Sequence, residues 1–466
     1  MEPKVEPVAL PVAVVHGAKA HGDAGDQQRR VVAEAGASSG DLLLRSPPLA
    51  AVLSPDLWAT HCFHCFRTSS GKALSRCGRC RTAHYCSRDC QLKDWKPHHQ
   101  VECRRLGELA SLRLHSGQIS DVVMLGRVMR SLALPNNGQD ASADQDGKRI
   151  HVSSLVWYDE DVGGQETQLL AALAAKLGFV DVDTPLVELL QMLSRFQNNN
   201  FSICDDVLLE IGAGCFPLGA MINHSCEPNC AITCDPRAVW MRFVELRLTG
   251  HLFVAGTHEL EVRAIRPIDP AEEIVQTYVD IALPRAQRQQ RLKHKYHFLC
   301  SCSRCSEPLD DRNSCDAFLD CDIDGVPQER WTTQQLLELE QAISTSEDER
   351  IPALQQLLQE QRSRLHPQNI SLLQTTSALF SAEMDRGNAD GALKHGEAML
   401  EFYRRVYPPC HPMTGLHLFT LGDLLKQSSD QATPKAREYL KEARDVLQVT
   451  HGKHHSLVEL LNERLQ

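Results

Sequence analysis

Two periodicities divide the chain. Residues 259–266 alternate apolar and polar like a strand, and residues 272–278 read as a turn into a second strand ending at Tyr278. Val31-Val32-Ala33 reads as a further strand. An apolar, glycine-containing run over 211–221 leads into Ile222-Asn223-His224-Ser225-Cys226-Glu227-Pro228-Asn229-Cys230. Residues 239–248 and 251–254, joined by Thr249-Gly250, predict an inserted hairpin. From residue 285 to 295 the pattern is helical and basic. Residues 350–466 are helix-patterned throughout. Ala392, His395, Met399, Phe402 and Val406 recur at helical spacing, and 44 residues on, Ala436, Tyr439, Ala443, Val446 and Ser456 take similar places. His366-Pro367, His411-Pro412 and His455-Ser456 punctuate this stretch at intervals of 45 and 44. Paired helices at such a period predict a TPR-like stack. His451, His454 and His455 read as loop and capping residues, because no second ligand cluster faces them.

Composition narrows the class. The 466 residues are 42% hydrophobic and 23% charged, as in ordinary globular chains, and long enough for two to four domains. The net charge of −11 argues against a protein that coats nucleic acid through its overall field. That total hides a contrast: residues 61–105 hold ten Lys/Arg against three Asp/Glu, whereas 306–350 hold three against thirteen. The basic segment admits a weak nucleic-acid role, and the acidic one reads as a solvated linker. No stretch approaches the ~20 apolar residues of a membrane span. The apolar run at 8–15 with Ala18-Lys19-Ala20 imitates a secretory leader, but Glu2, Glu6 and Pro11 do not suit one.

Eighteen cysteines are unusual for this length, and their spacing points to metal rather than bridges. Cys62-x2-Cys65, Cys77-x2-Cys80, Cys86-x3-Cys90 and His99-x3-Cys103 give eight ligands in four pairs, enough for two tetrahedral zincs wired sequentially or alternately. Disulfides would leave His99 unexplained and Cys103 without a partner. Cys300, Cys302 and Cys305 leave a third site one ligand short, and Cys226 is the natural donor. Asn223-His224-Ser225-Cys226 also admits a Cys/His nucleophilic pair, but no third orienting group accompanies it.

The first set of spacings, with His84-Tyr85-Cys86-Ser87, Gln91 and Trp95, resembles a MYND zinc finger. The resemblance implies alternate wiring, with Cys62, Cys65, Cys86 and Cys90 on one zinc and Cys77, Cys80, His99 and Cys103 on the other. His99 is preferred to His98 because it stands one helical turn before Cys103. It also implies a peptide binder, often for proline-containing segments. Further on, Asn223-His224-Ser225-Cys226-x-Pro228-Asn229, Glu272-Glu273-Ile274-x3-Tyr278 and Phe298-x-Cys300-x-Cys302-x2-Cys305 resemble the SET domain of protein lysine methyltransferases. A finger ahead of these marks is the arrangement of the SET-and-MYND (SMYD) family.

That resemblance implies an α+β multidomain chain: a β-rich SET fold interrupted by the finger, a zinc-bound post-SET segment and a TPR-like helical domain. The expected boundaries are a poorly ordered lead-in at 1–28, SET at 29–61 and 199–280, the finger at 62–103 and a helical insertion at 104–198 with a mobile loop at 135–149. The post-SET segment follows at 281–306, an acidic linker at 307–349 and the helices at 350–466. It implies S-adenosylmethionine held by Asn199, Phe201, Asn223, His224 and Phe298, methyl transfer at Tyr278, and Tyr296 walling a lysine channel. Three structural zincs, protein substrates, partners at the helical domain and a cytoplasmic or nuclear location complete the expectation. Two departures stand out. The family's N-terminal Gly-x-Gly turn falls on Gln28-Arg29-Arg30, with Gly22 and Gly25 nearby, and the chain between 235 and 259 is long. The first departure sustains an alternative reading, an inactive SET scaffold serving as an adaptor.

Overall fold

The computed structural model describes residues 9–16, 29–68, 73–133, 139–143, 149–235, 258–308, 314–427 and 434–466. Two three-stranded antiparallel sheets and smaller strand pairs build the β region. In one sheet Glu259–Ala264 is central, paired with Cys230–Asp235 (Cys230 opposite Ala264) and with Leu42–Ser46 (Leu260 opposite Ser46). In the other, Glu210–Cys215 lies between Ala50–Leu53 and Asn200–Cys204. Strands from before residue 62 therefore complete sheets begun after residue 199, and the finger is an insertion within one fold. Leu43, Leu44, Val52, Phe216, Ile222, Leu260 and Val262 fill the core between these elements, each worth about 1.5–3 kcal/mol on burial.

Helices Ser116–Leu132 and Leu186–Asn199 pack on the strands Ala50–Leu53 and Asn200–Cys204, and Gln165–Lys176 packs on both helices. A buried ion cluster bolts the finger to them. Glu102, one residue before Cys103, receives Arg127 at 3.0 and 2.9 Å and also Arg130. Arg127 donates as well to the Ala51 carbonyl at 2.6 Å. Burial alone would raise the Glu102 carboxyl, but the two guanidiniums outweigh it and hold it at about 2.

The C-terminal helices run from Glu329–Ile343 to Ser456–Leu465, each packed on the next. The expected punctuation marks helix starts: Pro412 opens Pro412–Gln427, and the His455 side chain caps Ser456–Leu465 by accepting the Leu457 N–H. The turn before that last helix meets the SET sheet. Gly452 has φ +90°, and a Cβ there would lie 2.9 Å from the Arg263 guanidinium; Gly40, at φ +93°, faces Val449. Both positions favour glycine for conformation.

Several boundaries change. Val12–His16 is a strand, not a poorly ordered lead-in, and pairs with Arg29–Ala33, His16 opposite Arg29 and Val15 opposite Arg30. Arg29 and Arg30 thus belong to a strand, and the connection falls at 17–28, outside the described residues. Within 135–149, Gln139–Ala143 pairs with the strand Arg149–His151. The acidic 307–349 is no simple linker: it carries Glu329–Ile343, and Ala317 and Leu319 are buried. Residues 239–254 lie outside the described residues. Among the described residues, no helix is long and apolar enough to cross a membrane.

Candidate active site and zinc centres

Each two-residue cysteine gap forms a tight turn. The Phe66 N–H reaches the Cys62 carbonyl at 2.8 Å and the Arg81 N–H reaches that of Cys77 at 2.9 Å. Phe66 and Arg81 both take left-handed backbone (φ 55° and 58°). Such strain costs about 1–3 kcal/mol per residue and needs an external constraint. The turn Trp95–His99, which contains Pro97, is wound as a π-helix, as expected where proline removes a donor. It buries His99 with Nε2 3.5 Å from Cys80 Sγ. His98, the rival ligand, joins no cluster among the described residues.

Three groups of four ligand atoms converge: Cys62, Cys65, Cys86, Cys90; Cys77, Cys80, His99, Cys103; and Cys226, Cys300, Cys302, Cys305. These are the sets expected from the sequence. Cys65–Cys86, Cys86–Cys90, Cys77–Cys103 and Cys226–Cys305 bring their sulfurs within 3.5–3.9 Å, and all ligand atoms of a group lie within 4.8 Å of one another. A tetrahedral zinc with arms of ~2.3 Å needs edges of ~3.8 Å, so the donor sets could each hold one ion. No disulfide joins the described cysteines. Cys204, Cys215, Cys230, Cys315, Cys321 and Cys410 stay outside the three groups.

The third cluster adjoins an aromatic group. Asn223–His224 runs parallel to Val275–Gln276, which brings Tyr278 beside His224. The Tyr278 N–H donates to His224 Nδ1 at 2.9 Å, and the Tyr278 hydroxyl donates to the Ile222 carbonyl at 2.7 Å. The Tyr278 ring lies 4.9 Å from that of Tyr296 and 6.5 Å, edge-on, from Phe298. Burial, then Tyr296, Tyr158 and Glu273, push the Tyr278 phenol up, so it stays protonated at neutral pH. Phe201 packs edge-on to Phe216 at 5.9 Å rather than onto this cluster's rings. The Asn223 amide donates to the Arg29 carbonyl and Glu273 at 2.8 Å each. That of Asn199 donates to the Val156 and Arg195 carbonyls, also at 2.8 Å. Both amides therefore shape the wall with their donors. Next to Asn199, the buried Oδ1 atoms of Asn198 and Asn200 have no partner. Unpaired buried acceptors suit a ligand carrying an amine and hydroxyls, as S-adenosylmethionine does.

Tyr158 escaped the sequence reading. Its hydroxyl donates to the Tyr296 carbonyl at 3.1 Å, and its ring lies 4.1 Å from that of His297. His297 is left-handed (φ 59°) and sits 2.8 Å from Glu160. This clamp fixes Tyr296 and Phe298 on either side of His297. No local pattern marks it, because 138 residues separate Tyr158 from Tyr296.

Comparison with known proteins agrees with this layout. The MYND finger family matches residues 62–103 and the SET domain family residues 188–279. The human histone-lysine N-methyltransferase SMYD3 is 28% identical over 442 residues, covering 90% of each chain. The mouse protein of that name is also 28% identical, over 434 residues, 90% of each chain. Human N-lysine methyltransferase SMYD2 is 26% identical over 447 residues, 92% of this chain and 93% of that one. With a finger inserted in a SET fold, a cysteine cluster behind it and helices to the end, this chain is similar over most of its length to SET-and-MYND (SMYD) proteins.

Proposed function

We propose that this protein is an S-adenosylmethionine-dependent protein-lysine N-methyltransferase acting on histone or non-histone lysines. The observation that carries the reading is the Tyr278 hydroxyl, donated to the Ile222 carbonyl inside the ring cluster of Tyr296 and Phe298. Its only proton is committed, so the oxygen is left as an acceptor for an amine N–H. An acceptor there orients the amine lone pair for in-line attack. A free lysine has a pKa near ~10.4, and a half-buried aromatic channel lowers it by disfavouring the ammonium. Tyr296 walls that channel and Tyr158 holds Tyr296. The cofactor, when bound, supplies an electrophilic methyl on a sulfonium; Asn199, Phe201, Asn223, His224 and Phe298 would hold it. The three ligand groups are closed four-donor sets, suited to structural zinc. On the finger, Tyr85, Ser87, Arg88, Gln91, Leu92 and Trp95 line a groove suited to a peptide segment.

The adaptor reading is kept by the absence of a Gly-x-Gly at Gln28-Arg29-Arg30: Arg29 stands in a strand, and its guanidinium donates to the Ser154 carbonyl. Methyl transfer from labelled S-adenosylmethionine to lysines of a protein extract separates the two. The enzyme reading expects incorporation by the wild type and, in Tyr278→Phe, a loss of about a hundredfold, the scale of one positioned group, with cofactor affinity kept. Equal turnover in Tyr278→Phe would remove Tyr278 from this role, and no incorporation by the wild type would favour the adaptor.

A further inference from the structure

Behind the third cysteine cluster lies a buried ionic group that methyl transfer itself does not use. Arg288, fully buried, donates Nε to Cys226 Sγ at 3.2 Å. Its two terminal nitrogens each reach an Asp316 oxygen at 2.7 Å. Arg304, also buried, contacts the same carboxylate at 3.1 and 2.6 Å and donates to the Ile281 carbonyl at 2.8 Å. Arg285 adds a longer contact at 3.7 Å. Three guanidiniums around one carboxylate leave two positive charges. Four thiolates around a divalent ion leave two negative ones. The assembly is neutral only when metal, arginines and Asp316 are all present, and burial makes any imbalance expensive.

Asp316 does not belong to the SET sheets. It stands just ahead of Leu319, which packs with Ala282, Ile370 and Val406, so its segment is held by the C-terminal helices. From the other end, Cys226 Sγ lies 3.3 Å from His224 Nε2, and His224 Nδ1 accepts the Tyr278 N–H. A continuous series of contacts runs from the helical domain through Asp316, Arg288, Cys226 and His224 to Tyr278.

We propose that Asp316 is a positioning residue for Tyr278: through Arg288 and the Cys226 thiolate it ties retention of the ion at Cys226, Cys300, Cys302 and Cys305 to docking of the C-terminal helices. Only the last link, to Tyr278, rests on the methyltransferase reading; the link between metal and docking stands without it. A group hydrogen-bonded to a metal ligand, as Arg288 is to Cys226, changes metal affinity about ten- to a hundredfold in other centres, and Asp316 fixes that group.

The test uses the full-length, zinc-loaded chain challenged with EDTA. Native mass spectrometry counts the ions, and iodoacetamide labelling of Cys300 and Cys302 identifies the site that opens. Asp316→Asn is expected to lose the third ion about tenfold faster or more, with the finger ions unchanged, and Asp316→Glu to restore most of its retention. Tyr407→Phe removes the 3.2 Å hydrogen bond to Asp280 near the same junction without touching the arginines, and is expected to keep wild-type retention. Wild-type release rates in Asp316→Asn, or equal acceleration by Tyr407→Phe, would overturn the proposal. Should Asp316→Asn fail to fold, hydrogen exchange on the wild type decides. Protection in 314–319 and at the Tyr278 amide should be lost together with the third ion. Protection that persists in 314–319 after that ion has left would contradict the coupling. None of these readings depends on turnover, so an inactive enzyme would leave them intact.

Discussion

His224 Nδ1 accepts the backbone N–H of Tyr278 at 2.9 Å. An acceptor at Nδ1 leaves the ring proton on Nε2, which faces the Cys226 sulfur at 3.3 Å. His224 is therefore a neutral bridge between a thiolate centre and the candidate catalytic strand. His224→Ala strands the Tyr278 amide. Urea denaturation should show a loss of about 1–3 kcal/mol, the cost of one buried unpaired donor, together with reduced methyl transfer. Unchanged stability would mean that water replaces the ring.

The finger should behave as part of the SET fold. Glu102→Gln leaves the buried Arg127 and the half-buried Arg130 without the carboxylate they share, a change that costs about 3–5 kcal/mol. Thermal or urea unfolding checks this. The eight finger ligands are untouched, so two finger zincs should remain in the folded variant.

Metal content gives a sharper count. Elemental analysis should find three zincs per chain, and Cys302→Ala should leave two. Each structural zinc contributes up to ~10–16 kcal/mol in small modules. Chelation should therefore destabilise the finger, whose left-handed Phe66 and Arg81 close the two ligand turns.

Acid should weaken the helical domain through His411. Burial lowers its pKa to about 4, while its ring stacks on Tyr407 at 4.1 Å. A histidine whose folded pKa lies below the unfolded value, ~6.5, contributes stability above ~6.5 and loses it as pH falls towards 4. The loss by pH 5 is at most about 2 kcal/mol. His411→Phe keeps a stacking ring and removes the proton uptake. Its melting temperature should fall less than that of the wild type between pH 7 and pH 5; parallel curves would exclude His411.

The metal centres were legible in the sequence because a ligand pair is local. Two or three intervening residues suffice to turn both side chains onto one ion, and all three groups formed as expected. The strand Glu259–Ala264 was legible as a strand, but not its environment. Its alternation implied one wet face, whereas all six residues are buried. Glu261 is neutralised by Arg45 at 2.7 Å and Arg263 at 2.8 Å, and the turn at Gly452 covers Arg263. Arg29 and Arg30 read as part of a turn because their partners, His16 and Val15, are set by strand pairing that local spacing does not show. Tyr158 and the Arg288–Asp316 pair left no mark, since such partners meet only after the chain has folded.

The most direct measurement is calorimetric titration of the intact, zinc-loaded protein with S-adenosylmethionine. One site per chain is expected, with binding weakened at least about tenfold in Phe298→Ala, the scale of one lost aromatic packing face. No detectable binding to the wild type at millimolar cofactor would contradict the methyltransferase reading and leave the scaffold in its place.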